Sequence, residues 1–269
     1  MNTYSKPSKP LLTLLKIGGG VVEEEVALKQ LLYDFSHLKG AKVLVHGGGK
    51  SASRMARDLG IEVKMVEGRR ITDAAMLEIV MMVFGGRINT QIVAVLQSMK
   101  INAIGLTGAD MNLIQAHKRP VEEIDYGFVG DVDEINHQQL QQLIELGTLP
   151  VIAPLTHDGK GQMLNTNADT VASMLAQALS QHYQVRLVLC FEKAGVLLDA
   201  EDDDSVMAKL TPEVYAGYKA QGIIYAGMIP KLDNAFAAVK AGVSEVCICD
   251  RKGLISLEGE FSGTKVFRK

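Results

Sequence analysis

Tryptophan is absent from this 269-residue chain, and aromatic residues make up only 5% of it. A protein surface that stacks the bases of single-stranded nucleic acid uses exposed aromatic side chains, so this composition argues against such a surface. The charge is also balanced, because 28 Lys and Arg against 31 Asp and Glu leave a formal net charge of −3. Without a cationic excess, the chain lacks the electrostatic attraction to nucleic acids and anionic membranes. We therefore expect neither of them as a partner.

Cysteine is scarce, with Cys190, Cys247 and Cys249 as the complete set. An odd number without paired spacing does not predict a disulfide framework. Each cysteine lies in an apolar, strand-like run, which favours small buried side chains in a reducing compartment. No further Cys or His follows at the spacing of a zinc site, so we expect no protein-built metal site.

Long apolar runs are missing as well. The run 11–15 is too short for the core of a signal peptide, and no stretch approaches the length of a membrane span. We therefore expect a cytoplasmic protein that does not cross a membrane. The composition, 47% hydrophobic and 22% charged, is typical of a folded rather than a disordered chain.

Apolar strand patterns alternate with helical patterns along the whole chain, from residues 11–15 to residues 245–248. Regular βα alternation with short connections predicts an α/β fold, a three-layer αβα sandwich around a central, mostly parallel sheet. The polar segment 111–132 interrupts the alternation and is predicted to form a hairpin at one edge. No repeat or linker divides the chain, so we expect a single domain. Its N-terminal lobe would span about 1–165 and its C-terminal lobe about 166–269.

Glycine runs follow the first two predicted strands, at the carboxyl ends where open α/β sheets bind ligands. The first strand ends in Lys16-Ile17-Gly18-Gly19-Gly20 and the second in His46-Gly47-Gly48-Gly49-Lys50. Each run precedes a predicted helix, whose first N–H groups attract anions, and glycine lets the backbone approach an anion closely. Two such loops on consecutive strands predict a phosphate contacted from two sides.

The second glycine loop also fits two familiar nucleotide-binding motifs in part. Gly47-x-Gly49-x-x-Ala52, with Glu67 twenty residues after the first glycine, fits the dinucleotide fingerprint, which leaves a nicotinamide-dependent oxidoreductase as an alternative. Gly49-Lys50-Ser51 resembles the end of a P-loop, but Leu44 stands where that motif requires a glycine. We therefore reject the P-loop.

Charged residues follow further strands or begin helices: Lys16, Arg70, Asp169 and Lys231. Each alone has an ordinary explanation, such as a helix cap or a surface ion pair. Together with two amide-rich loops they suit phosphoryl transfer, whose transition state needs positive charge and positioning.

Five segments carry a family resemblance. They are Lys16-x-Gly-Gly, Val45-His-Gly-Gly-Gly, Gly68-x-Arg-x-Thr, Asn165-x-Asn-Ala-Asp169 and Gly227-Met-x-x-Lys231. Their order and spacing resemble the acetylglutamate kinases of the amino-acid kinase superfamily. Further matches are Gly85-Gly86-Arg87-Ile88-Asn89 and Gly127-Phe-Val-Gly-Asp-Val132, and the resemblance runs from about Leu11 to Val266.

The resemblance implies that ATP phosphorylates the side-chain carboxylate of N-acetyl-L-glutamate, or of another N-acyl-L-glutamate, in arginine biosynthesis. It makes Lys16 and Lys231 the groups that stabilise charge on the transferring phosphoryl group. It makes Asp169 the residue that holds both lysines. A base is not needed, because a carboxylate nucleophile has no proton to lose at neutral pH.

The resemblance also implies the binding residues. Those for the acylglutamate are Gly48, Gly49, Arg70 and Asn165. Those for the nucleotide are Gly18, Gly19, Glu192, Lys193, Gly195, Val196, Leu197, Tyr225, Gly227 and Met228. Mg²⁺ would be carried mainly on the phosphates of ATP.

The acyl group and the exact acceptor stay open at the level of sequence. A succinyl instead of an acetyl group would bring a further carboxylate and favour a further cation or amide donor nearby, for which Lys50, Lys64 and Arg69 are candidates. The sequence also leaves open a glutamate 5-kinase, which acts on free glutamate, and an inactive nucleotide sensor. The resemblance further implies a homodimer built on a long helix at 73–96.

Overall fold

The computed structural model describes residues 9–66, 69–199, 201–224 and 228–269. Its strands are β1 Leu11–Ile17, β2 Ala41–His46, β3 Met65–Val66, β4 Arg69–Arg70, β5 Ala103–Leu106, β6 Ile114–Lys118, β7 Gly130–Ile135, β8 Leu149–Ile152, β9 Leu155–His157, β10 Met163–Asn165, β11 Gln184–Cys190, β12 Lys209–Leu210, β13 Glu245–Cys249 and β14 Thr264–Val266. Its α-helices are α1 Gly19–Glu23, α2 Glu25–His37, α3 Gly49–Asp58, α4 Ala74–Val80, α5 Asn89–Ser98, α6 His137–Glu145, α7 Ala168–Leu179, α8 Pro212–Ala220, α9 Met228–Lys240 and α10 Arg251–Ile255. A π-helical segment, Met81–Ile88, joins α4 to α5, and Asp110–Asn112 and Ser256–Glu258 form 3₁₀ turns.

An eight-stranded sheet, in the order β12-β14-β13-β11-β1-β2-β8-β5, forms the centre of the molecule. Its strand pairs are parallel apart from β13 with β14. The predicted mostly parallel sheet is confirmed. Strands β1 and β11 join the two halves of the chain in one continuous sheet, in register from Leu11 with Gln184 to Ile17 with Cys190.

Helices cover both faces of this sheet, which gives the predicted three layers. Successive side chains of a strand point to opposite faces, so Leu14 packs into one apolar core and Leu15 into the other. The first core includes residues of α6, α7 and α9, and the second includes residues of α2, α4 and α5. Both leucines are fully buried.

The segment 111–132, predicted as a hairpin, contributes β6 and the first half of β7 to a small second sheet. Strands β6 and β7 pair antiparallel, with a bulge between Gln115 and Ala116, in a sheet ordered β10-β9-β6-β7. Two backbone hydrogen bonds, at 2.9 and 2.6 Å, join the loop of this hairpin to Thr72, which follows β4. The excursion therefore forms a wall beside the carboxyl ends of the main strands.

Residues Ala74–Ser98 form one continuous helical rod of 25 residues, and the mean hydropathy of its most apolar stretch is 1.6. By length and composition alone this helix could cross a membrane, so the expectation that no stretch approaches that length is wrong. Its apolar composition has another physical explanation in this fold, because one face packs into the core through Ile79, Val80 and Ile92. Only 44% of its most apolar stretch is buried.

Candidate active site

Two lysines and one aspartate meet at the carboxyl end of the central sheet. Lys16 lies near the end of β1, Asp169 in the first turn of α7, and Lys231 in the first turn of α9. One oxygen of the Asp169 carboxylate forms an ion pair with Lys16 Nζ at 2.8 Å, and the other accepts a hydrogen bond from Lys231 Nζ at 3.0 Å. The side chains of Lys16 and Asp169 are each 8% exposed, and that of Lys231 is 25% exposed.

Local sequence explains how the aspartate and the second lysine reach each other. Asn167 caps α7 by accepting from the amides of Asp169 at 2.8 Å and Thr170 at 3.0 Å, which starts the helix at the required point. Ser173 donates to the Asn234 carbonyl at 3.0 Å, and Asn234 Nδ2 lies 3.4 Å from Thr170 Oγ1. These contacts hold α9 against α7 and so bring its first turn within reach of Asp169.

Burial and charge act in opposite directions on this cluster. Burial alone raises the pKa of Asp169, but Lys16 and Lys231 outweigh it and lower that pKa to about 2. Burial lowers the pKa of Lys16, with Lys231 adding to the effect and Asp169 opposing it. The aspartate is therefore ionised at neutral pH and holds two cations of like charge side by side.

The two glycine loops are fixed to the neighbouring strands through their first glycines. The Gly18 amide donates to the Cys190 carbonyl at 3.0 Å, and the Gly47 amide donates to the Ile17 carbonyl at 3.0 Å. Both bonds continue the ladders of the parallel sheet past the strand ends. The loops therefore lie side by side at the edge of the sheet where Lys16 emerges.

The glycine loops face each other closely, and each opens a helix. A β-carbon placed on Gly19 would lie 3.7 Å from the Gly48 nitrogen and 3.6 Å from the Gly49 nitrogen. Gly19 begins α1 and Gly49 begins α3, so the amides there belong to first helical turns, which have no intrahelical acceptors. The arrangement suits an anion held between the two loops.

A cavity of about 190 Å³ opens beside the second glycine loop. All four residues expected to bind an acylglutamate line this cavity, namely Gly48, Gly49, Arg70 and Asn165.

Arg70 is one of the charged residues that line this cavity. Its Nη2 donates to the Gly49 carbonyl at 2.8 Å and to Ser53 Oγ at 2.7 Å. Burial, with a smaller contribution from Arg57, lowers the pKa of Arg70. These bonds fix the guanidinium at the N-terminus of α3, beside the glycine loop.

Asn165, the last residue of β10, also lines the cavity. Its Nδ2 donates to Thr72 Oγ1 at 3.0 Å, and its amide donates to the Phe128 carbonyl at 2.9 Å. Thr72 therefore orients the side chain of Asn165, and Phe128 of the hairpin loop holds its backbone.

Two further charged residues, Arg119 and Asp131, line the same cavity and were not predicted. Arg119 Nε lies 3.2 and 3.1 Å from the two Asp131 oxygens, and Nη2 also donates to Asp131. Asp131 falls inside the 127–132 motif, which pointed to it without assigning a role. Arg119 gives no signal in the sequence, since only the pairing of β6 with β7 brings it to the cavity.

Comparison with known proteins shows similarity in both sequence and fold. The chain matches the Amino acid kinase family over residues 12–250. It belongs to the amino acid kinase family. The resemblance inferred from the five segments is thereby confirmed.

The relatives of this amino acid kinase family member include two proteins named acetylglutamate kinase. That of Phocaeicola vulgatus is 59% identical over 96% of this chain and 99% of its own length. That of Parabacteroides distasonis is 56% identical over 95% of this chain and 99% of its own length. The crystal structure of smu.665 from Streptococcus mutans UA159 superposes with a TM-score of 0.80 at 25% identity, covering 96% of this chain and 99% of that one.

The nucleotide side of this family member begins at the end of β11. The Glu192 carboxylate lies directly over Gly20 of the first glycine loop and accepts from Lys50 Nζ at 3.1 Å. The Lys193 ammonium contacts Asp203 at 2.7 Å. Both side chains are thus engaged with protein groups.

The next three predicted nucleotide residues are packed into the fold. Val196 is 1% exposed, and its amide donates to Thr264 Oγ1 at 2.8 Å. A side chain at Gly195 would come within 2.7 Å of the same Thr264 oxygen. Leu197 forms an isolated antiparallel bridge with Val206.

Met228 begins α9 and packs against the first apolar core. Tyr225 and Gly227, also predicted to bind nucleotide, lie outside the described residues. Glu67, on which the dinucleotide alternative depends, and Gly68 lie outside them too.

Among the residues that the structure describes, no group of three or more His, Cys, Asp and Glu side chains is placed to hold a metal ion. Both oxygens of Asp169 already face ammonium groups. The donor set around the glycine loops is cationic and amide-rich, which suits phosphate oxygens rather than a bare divalent cation.

Proposed function

We propose that this amino acid kinase family member transfers the γ-phosphoryl group of ATP to the side-chain carboxylate of N-acetyl-L-glutamate, a step of arginine biosynthesis. The observation that carries the proposal is Asp169 between Lys16 and Lys231 at the carboxyl end of the sheet that bears both glycine loops. The acceptor is supported by relatives at 59% and 56% identity named acetylglutamate kinase.

The reaction forms one phosphorus–oxygen bond and breaks another. A side-chain carboxylate oxygen of the acceptor attacks the γ-phosphorus of ATP, and the bond from that phosphorus to the β–γ bridging oxygen breaks. The electron pair leaves with ADP, and the product is an acyl phosphate. No proton transfer is needed, because the acceptor is already ionised at neutral pH.

Charge stabilisation is the main task of the protein in this reaction. Lys16 and Lys231 neutralise charge on the transferring group, and Asp169 holds their ammonium groups in place without acting as a base. The amides of the glycine loops add fixed donors at Gly18, Gly19, Gly48 and Gly49. Preorganised donors of this kind are the largest source of rate enhancement in phosphoryl and acyl transfer.

The cavity beside the second loop receives the acceptor in this proposal. The Arg70 guanidinium binds the α-carboxylate, for which its planar fork of donors is suited. Asn165, which also lines the cavity, binds the acylamino group. The nucleotide lies toward Glu192, Lys193 and residues 195–197, with Met228 at the start of α9.

ATP enters as its Mg²⁺ complex in this proposal, with the ion on the phosphate oxygens. The cationic donor set supports this assignment, since a chelated Mg²⁺ brings its own oxygen ligands and requires no protein cage. The proposed acceptor lobe, about 1–165, holds the acylglutamate residues, and the proposed ATP lobe, about 166–269, holds the nucleotide residues other than Gly18 and Gly19.

We further infer a homodimer that uses the helical rod 74–98. Its outward side exposes Met81 by 38% and Met82 by 51%, large apolar side chains that a partner would cover. A cytoplasmic location agrees with the use of ATP.

A coupled assay of ADP release from MgATP tests the reaction with three acceptors, N-acetyl-L-glutamate, N-succinyl-L-glutamate and free L-glutamate. Turnover that strongly prefers N-acetyl-L-glutamate is the expected result. Preference for the succinyl compound would change the acyl group, and activity only on free glutamate would overturn the acylglutamate assignment. If ATP binds but no ADP is released with any of the three acceptors, the result would favour a nucleotide sensor.

A further inference from the structure

His46, the last residue of β2, is completely buried immediately before the second glycine loop. Its Nδ1 lies 2.9 Å from the carbonyl oxygen of Gly47, and its Nε2 lies 3.2 Å from Nδ2 of Asn89. The ring therefore connects the glycine loop to the helical rod. The proposed phosphoryl transfer assigns no role to either His46 or Asn89.

The partners of Asn89 determine which ring nitrogen carries the proton. Asn89 Nδ2 also lies 2.9 Å from the Val151 carbonyl oxygen, which only accepts hydrogen bonds, so the atom facing it is the amide nitrogen. The same nitrogen faces His46 Nε2, which must then accept and carry no proton. The neutral ring thus has its proton on Nδ1, and Nδ1–H donates to the Gly47 carbonyl.

Burial lowers the pKa of His46 to about 4, against a smaller opposing effect of the Gly47 carbonyl. The ring is therefore neutral near pH 7, in the single tautomer that the Asn89 amide permits. A ring with its proton on Nε2 would present two lone pairs to each other at Nδ1 and the Gly47 oxygen.

The Gly47 carbonyl belongs to the same planar peptide unit as the Gly48 N–H. In a trans peptide the carbonyl and the N–H point in opposite directions, so a bond that fixes the Gly47 oxygen also fixes the direction of the Gly48 amide. The Gly48 nitrogen would lie 3.7 Å from a side chain at Gly19, in the first glycine loop. The His46 bond thus orients a donor that faces the place proposed for the phosphoryl group.

The structure around Asn89 is shaped to hold its side chain. Asn89 begins α5 directly after the π-helical segment 81–88, and it is 5% exposed. A side chain at Gly105 would overlap the Asn89 amide oxygen, so glycine there leaves room for it. Ile88 and Phe84 of the same segment would meet any side chain at Gly48. The rod therefore contacts the second glycine loop both by packing and through the Asn89–His46 bond.

We propose that His46, held by Asn89 with its proton on Nδ1, is a positioning residue that fixes the Gly47–Gly48 peptide and so aims the Gly48 amide at the transferring phosphoryl group. His46 acts through the peptide and contacts no substrate. The proposal rests on the proposed kinase function. It also assigns a task to the Gly85–Asn89 motif, whose π-helical turn delivers Asn89 to the ring.

The first measurement is the tautomer of His46 in the ¹⁵N-labelled full-length protein, read from the ring ¹⁵N shifts and their long-range couplings to carbon-bound protons. We expect a neutral ring protonated at Nδ1 at pH 7. A proton on Nε2, or an imidazolium, would overturn the proposal. This result is independent of turnover, so it stands apart from any failure of the proposed function.

The second measurement compares two substitutions that remove the same ring. An asparagine amide nitrogen can take the place of Nδ1, whereas a glutamine amide extends to the place of Nε2. His46→Asn therefore keeps the donor to Gly47, and His46→Gln loses it. We expect kcat of the glutamine variant to be about tenfold or more below that of the asparagine variant, on the scale for a displaced donor. Equal kcat values in the two folded variants would overturn the proposal.

Asn89→Asp replaces the amide nitrogen that faces His46 Nε2 by a carboxylate oxygen, at nearly constant side-chain volume. We expect the His46 proton to move to Nε2 and kcat to fall by about 10- to 100-fold. A tautomer that moves without a fall in kcat would contradict the proposal. His182→Asn, at a partly buried histidine bonded to His137 at 2.9 Å, is the control for histidine replacement outside the site. If Asn89→Asp fails to fold, the proposal is still tested by the kcat values of His46→Asn and His46→Gln and by the tautomer of His46 in the wild-type protein.

Discussion

The Asp169 carboxylate lies 2.8 Å from the Lys16 ammonium, and each of these side chains is only 8% exposed. The partners come from the end of β1 and the start of α7, far apart in sequence. A buried charge without a partner is expensive, so neither residue is placed here without the other. The second Asp169 oxygen, bonded to Lys231, makes the aspartate the common support of both cations.

Removal of either lysine should slow turnover while the fold persists. Lys16→Ala and Lys231→Ala are each expected to lower kcat by roughly 10²- to 10³-fold, the scale for losing one preorganised donor. Steady-state assays with MgATP and N-acetyl-L-glutamate measure this. Lys29→Ala is the matched control, since Lys29 forms an exposed ion pair with Glu25 on α2. Near-wild-type turnover in both site variants would contradict the assignment.

Asp169→Asn should destabilise the protein strongly at neutral pH. Removing one partner of a buried ion pair costs about 3–5 kcal/mol, which urea unfolding at pH 7 measures. Glu258→Gln, at the exposed contact with Lys39, is the control and is expected to cost less than about 1 kcal/mol.

The Asp169 contribution should also have a defined pH window. Because the lysines lower the pKa of Asp169 from 3.8 to about 2, its ionised form stabilises the fold above pH 3.8, and this stabilisation is lost as pH falls toward 2. The difference in unfolding free energy between the wild type and Asp169→Asn is therefore expected to shrink over that interval. A constant difference down to pH 2 would show that Asp169 does not carry this ion pair.

Arg70→Ala should act on acceptor binding more than on the chemical step. Its guanidinium lines the cavity and is held by the Gly49 carbonyl and Ser53. We expect KM for N-acetyl-L-glutamate to rise by about 10- to 100-fold, the value of one lost charge-assisted contact of ~1.5–3 kcal/mol, with little change in KM for ATP. Arg57→Ala, at a nearby arginine outside the cavity lining, is the control. An unchanged acceptor KM in Arg70→Ala would remove Arg70 from this role.

His46 should make the fold sensitive to mild acid. Burial lowers its pKa from 6.5 to about 4, so below pH 6.5 the unfolded chain takes up a proton that the folded ring does not. The free energy of unfolding therefore falls as pH drops from 6.5 to 4, by at most about 1.4 kcal/mol per pH unit for this group. His46→Asn is expected to lose that share of the slope in urea unfolding series. Identical slopes in wild type and variant would mean that His46 titrates normally.

The sequence by itself determined the alternation of strands with helices and the positions of the two glycine loops. Those features depend on residue periodicity and on local glycine and cap chemistry, which neighbouring residues settle among themselves. The same local signals predicted the hairpin and the helical rod, with its two glycines at the π-helical segment. They also located Lys16, Asp169 and Lys231 at strand or helix ends, where side chains of an open sheet converge.

Only the tertiary structure decided which distant groups face each other. Arg119 reaches the acceptor cavity through the register of β6 with β7, and Asn89 reaches His46 across the space left at Gly105. The apolar rod is likewise assigned to the core by its contacts, because length and hydropathy alone equally describe a membrane span. Contacts between residues far apart in sequence depend on strand register and side-chain packing, and no local pattern encodes either of them.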